Sequence, residues 1–311
     1  GSTYQISGSG DYGLSTAGPE AMTTADQSIF YWGGTSFSQF SRITFDGQNN
    51  IAIGHDLDWP AGGTNFTTDD VFTDDVIKNV GTGIRCGWAG GCAEISILRT
   101  TFQNNTFAGI TMNNFNALDL WVWNSQFINN QIGVANFGLG GIGAGAFQLY
   151  NNVFQGSTLY DVGISNPNAF NIKGSYSSGS NQFFLGGGGA ASNSLVIQNN
   201  IILDTTQPTA IAEDSAGPLT VLDNIIRNSV GNASSTTAPV IVSDGGKSYS
   251  DVLSMGNTYS ANVTATCGSA VRSAASVGRC HSVQDQVVSR SNINPPAPVL
   301  PGTPPNLSRA V

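Results

Sequence analysis

Three carboxylates recur at an even interval: Asp69, Glu94 and Asp119 are each 25 residues apart. Paired carboxylates are the working parts of glycoside hydrolysis. One acid protonates the leaving oxygen while the other attacks or activates water, at separations of about 5–5.5 Å in retaining and about 6.5–9.5 Å in inverting enzymes. Asp119 lies in "ALDLWVWNSQF" (117–127), where Leu118, Leu120 and Val122 alternate with Asp119, Trp121 and Trp123. A strand sends alternate side chains to opposite faces, so one acid and two indoles share the face away from the apolar residues. Indole and phenol rings are apolar platforms with a polar edge, suited to lying against a sugar ring. Even spacing in sequence becomes proximity only if the chain repeats in space.

The chain does repeat. "FQLYNNVFQGS" (147–157), "LVIQNNIILDT" (195–205) and "LTVLDNIIRNS" (219–229) share apolar first and third positions, then Asn or Asp, then Asn, then two apolar residues. "ISILRTTFQNN" (95–105) and "LWVWNSQFINN" (120–130) fit the same pattern. Looser copies are "DVFTDDVIKNV" (70–80), "FNIKGSYSSGS" (170–180), "VLSMGNTYSAN" (252–262) and "ITFDGQNN" (43–50). Starts at 70, 95, 120, 147, 170, 195 and 219 give intervals of 25, 25, 27, 23, 25 and 24 residues. A second short apolar segment follows in most units, as in "AGITMN" and "IGVANF". No long stretch keeps a helical apolar period. Short strands separated by Asn and Gly turns form one coil of a solenoid per unit. Leucine-rich repeats have similar unit lengths, but the fixed leucines and the helical segment are missing.

Paired Asn at 151–152 and 199–200, with "DN" at 223–224, suits a coil corner where amides hydrogen-bond from one coil to the next. This pattern resembles the right-handed parallel β-helix of the pectate-lyase-like superfamily, over roughly 30–265. The resemblance implies an all-β, single-stranded right-handed parallel β-helix (solenoid) of about nine coils. Residues 1–40 then form an N-terminal cap or first coil, 41–265 the β-helix, and 266–311 a disulfide loop and Pro-rich tail. "ITFDG", "NALDLWVW" and "GSNQFF" are similar to a group of bacterial secreted β-helix proteins with no activity attached.

In such a stack equivalent residues lie about 4.8 Å apart. The residues preceding successive core strands are Asp69, Glu94, Asp119 and Ala146, a column of three acids. Like charges opposite one another repel, which favours one protonated and one ionised member. Outward neighbours are Ser96 and Leu98, then Trp121 and Trp123, then Gln148 and Tyr150, with Arg99 at the corner. Asp119, Glu94 and Asp69 are therefore the catalytic candidates, and Trp121, Trp123, Tyr150 and Arg99 the substrate-binding ones. The same acids also suit simple turn or solubility roles, and the indoles also suit packing under the Gly-rich "NFGLGGIGAGAF" (136–147) or a subunit contact.

"GHDLDW" (54–59) reads as a loop leaving the first clear coil. Its His55 would orient a sugar if folded over the acid column. Asp56, Asp58, Asp69, Asp70, Asp74 and Asp75 are oxygen ligands of the kind Ca²⁺ takes. No EF-hand loop or nonapeptide calcium repeat is present, so no cofactor and no metal site is expected. The catalytic motifs of polygalacturonases do not carry over: Gly54-His55-Asp56 precedes both Asp-Asp pairs, and no Arg-Ile-Lys exists. A lyase acting on a uronate needs positive charge near the subsites. Arg85 and Arg99 are the only central arginines, so a lyase ranks below a hydrolase. Arg85 and Asp161 are expected outward on the second sheet, each in a surface pair or exposed to solvent.

Cys86 with Cys92, and Cys267 with Cys280, read as two local disulfides, which place the protein in an oxidising compartment: secreted, periplasmic or cell-surface. Charged residues make up 10%, well under the usual quarter, and 20 acids outnumber 11 bases. That balance argues against nucleic acid but not against a glycan. No apolar run reaches the length of a membrane helix. The preferred reading is a carbohydrate-active glycoside hydrolase with a polysaccharide or oligosaccharide partner, as monomer or homotrimer. The alternatives are a non-catalytic glycan-binding, adhesin or tailspike-like module, and a polysaccharide lyase or epimerase.

Overall fold

The computed structural model describes residues 3–5, 28–33, 36–58, 67–86, 92–112, 118–136, 146–164, 169–186, 194–207, 209–213, 219–228, 238–242, 252–267, 280–289, 293 and 295. Among them every regular element is a strand, and the strands form a right-handed parallel β-helix with three walls. The first wall runs from Gln39–Ser41 through Val71–Thr73, Cys92–Leu98, Leu118–Trp123, Ala146–Tyr150, Ala169–Lys173, Ser194–Gln198, Leu219–Leu222 and Val252–Met255 to Cys280–Val283. The second wall is built of short strands such as Gln126–Ile128, and the third of longer ones such as Ile132–Asn136. Both belong to one 18-stranded sheet.

The register follows the sequence repeat. Ile95, Leu120, Phe147, Phe170, Leu195 and Leu219 are paired in succession along the first wall. The pairing extends past the repeat at both ends: Ser28–Gly33 pairs with Thr44–Asp58, and Cys280–Val283 and Gln286–Val288 add a last rung. Complete circuits number somewhat fewer than the nine expected. Both expected disulfides are present, Cys86–Cys92 and Cys267–Cys280, with Cα atoms 5.6 and 5.7 Å apart.

Each coil must turn sharply between the first and second walls, which buries a backbone N–H that no strand can satisfy. The next rung supplies the acceptor. Ser125 N–H donates to Asn152 Oδ1 (2.9 Å), Ser175 to Asn200 (2.9 Å), Asn200 to Asn224 (2.9 Å), and Asn224 to Asn257 (2.9 Å). The amide Nδ2 groups donate in turn to carbonyls of the preceding rung, as Asn224 does to Ile197 (2.9 Å). Immediately before these buried residues stand Asn124, Asn151, Asn199 and Asp223, all in the left-handed region that Asn and Asp tolerate. A shorter ladder at the next corner includes Asn105 and Asn130.

The core is filled by a column of large rings opposite a column without side chains. Phe102, Phe127 and Phe154 stack on the second wall with centroids 5.0 and 4.9 Å apart. Facing them are Gly83, Gly109 and Gly133, where an added Cβ would come within 2.7–2.9 Å of the rings. One rung on, the pattern exchanges. Ser177 replaces the ring and Asp161 replaces the glycine, and the Ser177 hydroxyl donates to Asp161 Oδ2. Asp161 is fully buried, Oδ1 has no hydrogen-bond partner among the described residues, and desolvation pushes its pKa up to about 7. It is not on the surface, as the sequence led one to expect. Inward alternation decided its direction, and a small facing serine made the room.

Two predictions follow from these interiors. Asn224→Ala orphans the Asn200 N–H and the Ile197 carbonyl, and is expected to cost about 2–4 kcal/mol in urea denaturation. Asp161 binds its proton more tightly folded than unfolded, so its stabilising contribution is complete below pH ~3.8 and is lost as pH rises to about 7. Asp161→Asn should therefore gain on the wild type across that window, by on the order of 4 kcal/mol, with a constant difference above it. A gap that does not vary with pH refutes the assignment.

Candidate functional site

The three acids form the expected column. Thr68 pairs with Ala93, and Ala93 with Leu118, so Asp69, Glu94 and Asp119 follow on three adjacent rungs at the entry to the first wall. All three have left-handed backbone, with φ of 57°, 56° and 42°. For Glu94 this conformation is costly, and strain of this kind is held in place only by its surroundings. The Cys86–Cys92 disulfide lies two residues before Glu94. Glu94 is exposed, while Asp69 and Asp119 are half-buried.

Each acid also has a local partner. Asp119 Oδ1 accepts the Ala146 N–H at 2.9 Å, so it caps the rung where the acid column ends. The Thr68 hydroxyl lies 3.0 Å from Glu94 Oε2 and 3.4 Å from Asp69 Oδ2, and its single proton favours Glu94. Beside the column, Trp121 is followed by Gln148 and Asn171, and Trp123 by Tyr150 and Lys173. Trp123 is 37% exposed, and its ring lies 3° from parallel with Tyr150, centroids 6.4 Å apart. The Tyr150 hydroxyl donates to Gln148 Oε1, and Asn171 Nδ2 donates to the same oxygen at 3.0 Å. Asn171 and Lys173 were not singled out in the sequence, although "FNIKGS" places them two rungs from the tryptophans. Residues 137–145, the expected cover, lie outside the described residues.

Other candidates lie elsewhere. Arg99 makes a two-pronged ion pair with Asp74 at the corner (2.7 and 3.0 Å). Its guanidinium holds the Asp74 carboxyl below the usual carboxylate range. His55 is wholly inside the solenoid. It sits in strand Thr44–Asp58, in one column with Ile84 and Ile110, among Phe30, Phe40, Phe45 and Phe72 at 4.4–5.5 Å. Neither ring nitrogen has a hydrogen-bond partner among the described residues, and desolvation pushes its pKa down to about 3. It cannot touch a ligand on the outer face. The "GHDLDW" stretch reads as a loop only because this core position is not aliphatic.

The acids that suggested calcium are dispersed. Asp70 and Asp75 accept the N–H groups of Ser38 and Ile43 from the rung before, each at 2.8 Å. Asp56 holds Arg85 through two bonds of 2.9 and 2.6 Å, both residues almost fully buried. Arg85 is thus sequestered rather than exposed. Among the described residues no three His, Cys, Asp or Glu side chains are placed to hold a metal ion. A shallow depression lined by Phe30, Tyr31, Trp32, Ser38, Gln39 and Phe40 lies at the first rungs, away from Trp121 and Trp123.

No protein-family model matches the chain, and no curated protein matches it. Among solved structures it is similar to the A-module of the mannuronan C-5 epimerase AlgE4 from Azotobacter vinelandii. The identity is 13% and the TM-score 0.51, over 93% of this chain and 85% of that one. A tailspike protein double mutant of E. coli bacteriophage HK620 is 11% identical with a TM-score of 0.48, over 93% of this chain and 59% of that one. The first likeness shows a shared β-helix fold.

Removing Arg85 takes away the cation that faces the buried Asp56 carboxylate. Arg85→Ala is expected to lose about 3–5 kcal/mol in denaturant titration. A loss below about 1 kcal/mol would mean that Asp56 finds other compensation.

Proposed function

We propose that the first wall is a glycan-binding face and that the protein is a secreted, carbohydrate-active β-helix protein that cleaves a polysaccharide as a glycoside hydrolase. One observation carries the reading: an aromatic and amide row, with Trp123 exposed and Trp121, Gln148 and Tyr150 half-buried, lies beside Glu94 and Asp119 on consecutive rungs. Adjacent rungs are about 4.8 Å apart, close to the separation of a retaining carboxylate pair. Asp119, held by the Ala146 N–H, is the fixed carboxylate of the pair. Glu94, exposed and longer, is the proton donor. Asp69 adjusts Glu94 through Thr68. The fold likeness to a mannuronan epimerase module and the two disulfides support a polysaccharide partner and an extracellular setting.

A second reading, a binding module without catalysis, is favoured by the structural partners that Asp119 and Glu94 already have. Turnover against a polysaccharide panel, read as new reducing ends, separates the two. Asp119→Asn keeps the oxygen that accepts the Ala146 N–H, and Glu94→Gln keeps an oxygen for Thr68, so both variants should stay folded. Each should lose at least about a hundredfold in rate while still binding. Trp123→Ala should weaken binding itself. Undiminished turnover in both acid variants overturns the hydrolase. Binding without turnover in the wild type selects the second reading.

A further inference from the structure

The three rungs that carry the platform end in a hydrogen-bond arrangement with one polarity. Gln148 Oε1 accepts twice, from the Tyr150 hydroxyl and from Asn171 Nδ2. A carbonyl oxygen has two lone pairs, so this one is fully used. The amide is thereby locked in orientation, and its Nε2 keeps two N–H donors for another acceptor. No described residue takes them up. Gln148 is half-buried beside Trp121, so its donors stand at the edge of the aromatic platform rather than in bulk water. Lys173, the next residue along the Trp123–Tyr150 row, is exposed, and no described residue pairs with its ammonium. The acid column has ended by this point: Ala146 and Ala169 occupy the rungs that carry Gln148 and Asn171. The face therefore runs from acceptors at Asp69, Glu94 and Asp119 to donors at Gln148 and Lys173.

We infer that Gln148 is a specificity-determining residue of this face. It selects a glycan unit bearing a planar carbonyl oxygen, as an acetamido or carboxylate group, and places that unit one to two rungs from the acids. Tyr150 and Asn171 are positioning residues, acting only through the orientation they impose on the Gln148 amide. A plain hydroxyl is a poorer match, because it can itself donate and rotates freely. The inference rests on the glycan-binding reading above.

The test is Gln148→Glu. A carboxylate still accepts from Tyr150 and Asn171, but it presents an acceptor outward where the amide presented donors. Binding is measured by calorimetry with three probes: chito-oligosaccharides (acetamido), oligogalacturonates (carboxylate) and cello-oligosaccharides (neither). The wild type should prefer one of the first two over the third by about tenfold or more, and Gln148→Glu should abolish the preference at pH 7. Lowering the pH should restore part of it, because a protonated Glu regains one O–H donor. A purely structural role would give no such recovery. Lys173→Met separates the two sources, weakening the carboxylate probe alone. The melting temperature of Gln148→Glu should match the wild type. A large drop means that the amide faces the other way and overturns the inference. So does equal binding of the cello-oligosaccharides, or a preference unchanged in the variant. If Trp123→Ala leaves binding intact, the glycan-binding reading itself has failed. If that variant weakens binding and Gln148→Glu does not, only the role of Gln148 has failed.

Discussion

The structure depends on how it satisfies the backbone where it bends. A coil of about 25 residues cannot close without corners, and each corner turns an N–H inward, where water does not reach. The β-helix answers with a side-chain oxygen from the following rung, so Asn152, Asn200, Asn224 and Asn257 each serve the rung before. Because that donor–acceptor match is specific, a slip of one residue would leave both groups buried and unmatched. The ladder therefore fixes register as well as contributing stability. Everything on the walls inherits that register, including the alignment of Asp69, Glu94 and Asp119.

Where the column departs from amides, its chemistry changes. Asp75 takes the same corner position, and burial pushes its pKa up to about 6, with one oxygen lacking a partner among the described residues. Asp161 is a second internal acid. His55 acts in the opposite direction: it stays neutral when folded but takes a proton below about pH 6.5 when unfolded, which removes stability as pH falls towards about 3. Between roughly pH 4 and 6.5 the acids favour the fold as protons are added while the histidine opposes it. A stability profile of the intact protein sums these trends, so only differences between variants separate them.

The repeat was legible because it needs only composition at fixed intervals. The Asn pairs, the apolar triplets and the 25-residue step give the walls, the first corner and the acid column. Exposure was less legible. Alternation states which face a residue takes, not whether that face is covered. Arg85 takes the column facing away from the core and is still sequestered with Asp56. Asp161 and His55 point inward against their polarity, and only neighbours from other rungs explain it: Ser177 leaves space for the acid, and five aromatic rings enclose the imidazole. Such compensation couples residues 16 to 29 apart in sequence, and a single strand pattern does not contain it.

The same contrast explains why the first wall is the functional candidate. In the third wall, Ala108–Met112 and Ile132–Asn136 are buried at every residue, so neither face is open to a ligand. The second wall has strands of only three residues on most rungs, too short to lay out a platform. In its middle rungs the first wall alternates buried and accessible residues across five positions, as in Ala146–Tyr150. Among the described residues it presents the broadest outward surface at constant pitch. A rigid surface holds its binding groups in place before a ligand arrives, so little ordering remains to oppose association. The corner ladder and the outward platform are thus linked. The buried amides that fix the coil spacing also fix the intervals at which indole, amide, phenol and ammonium stand along the first wall.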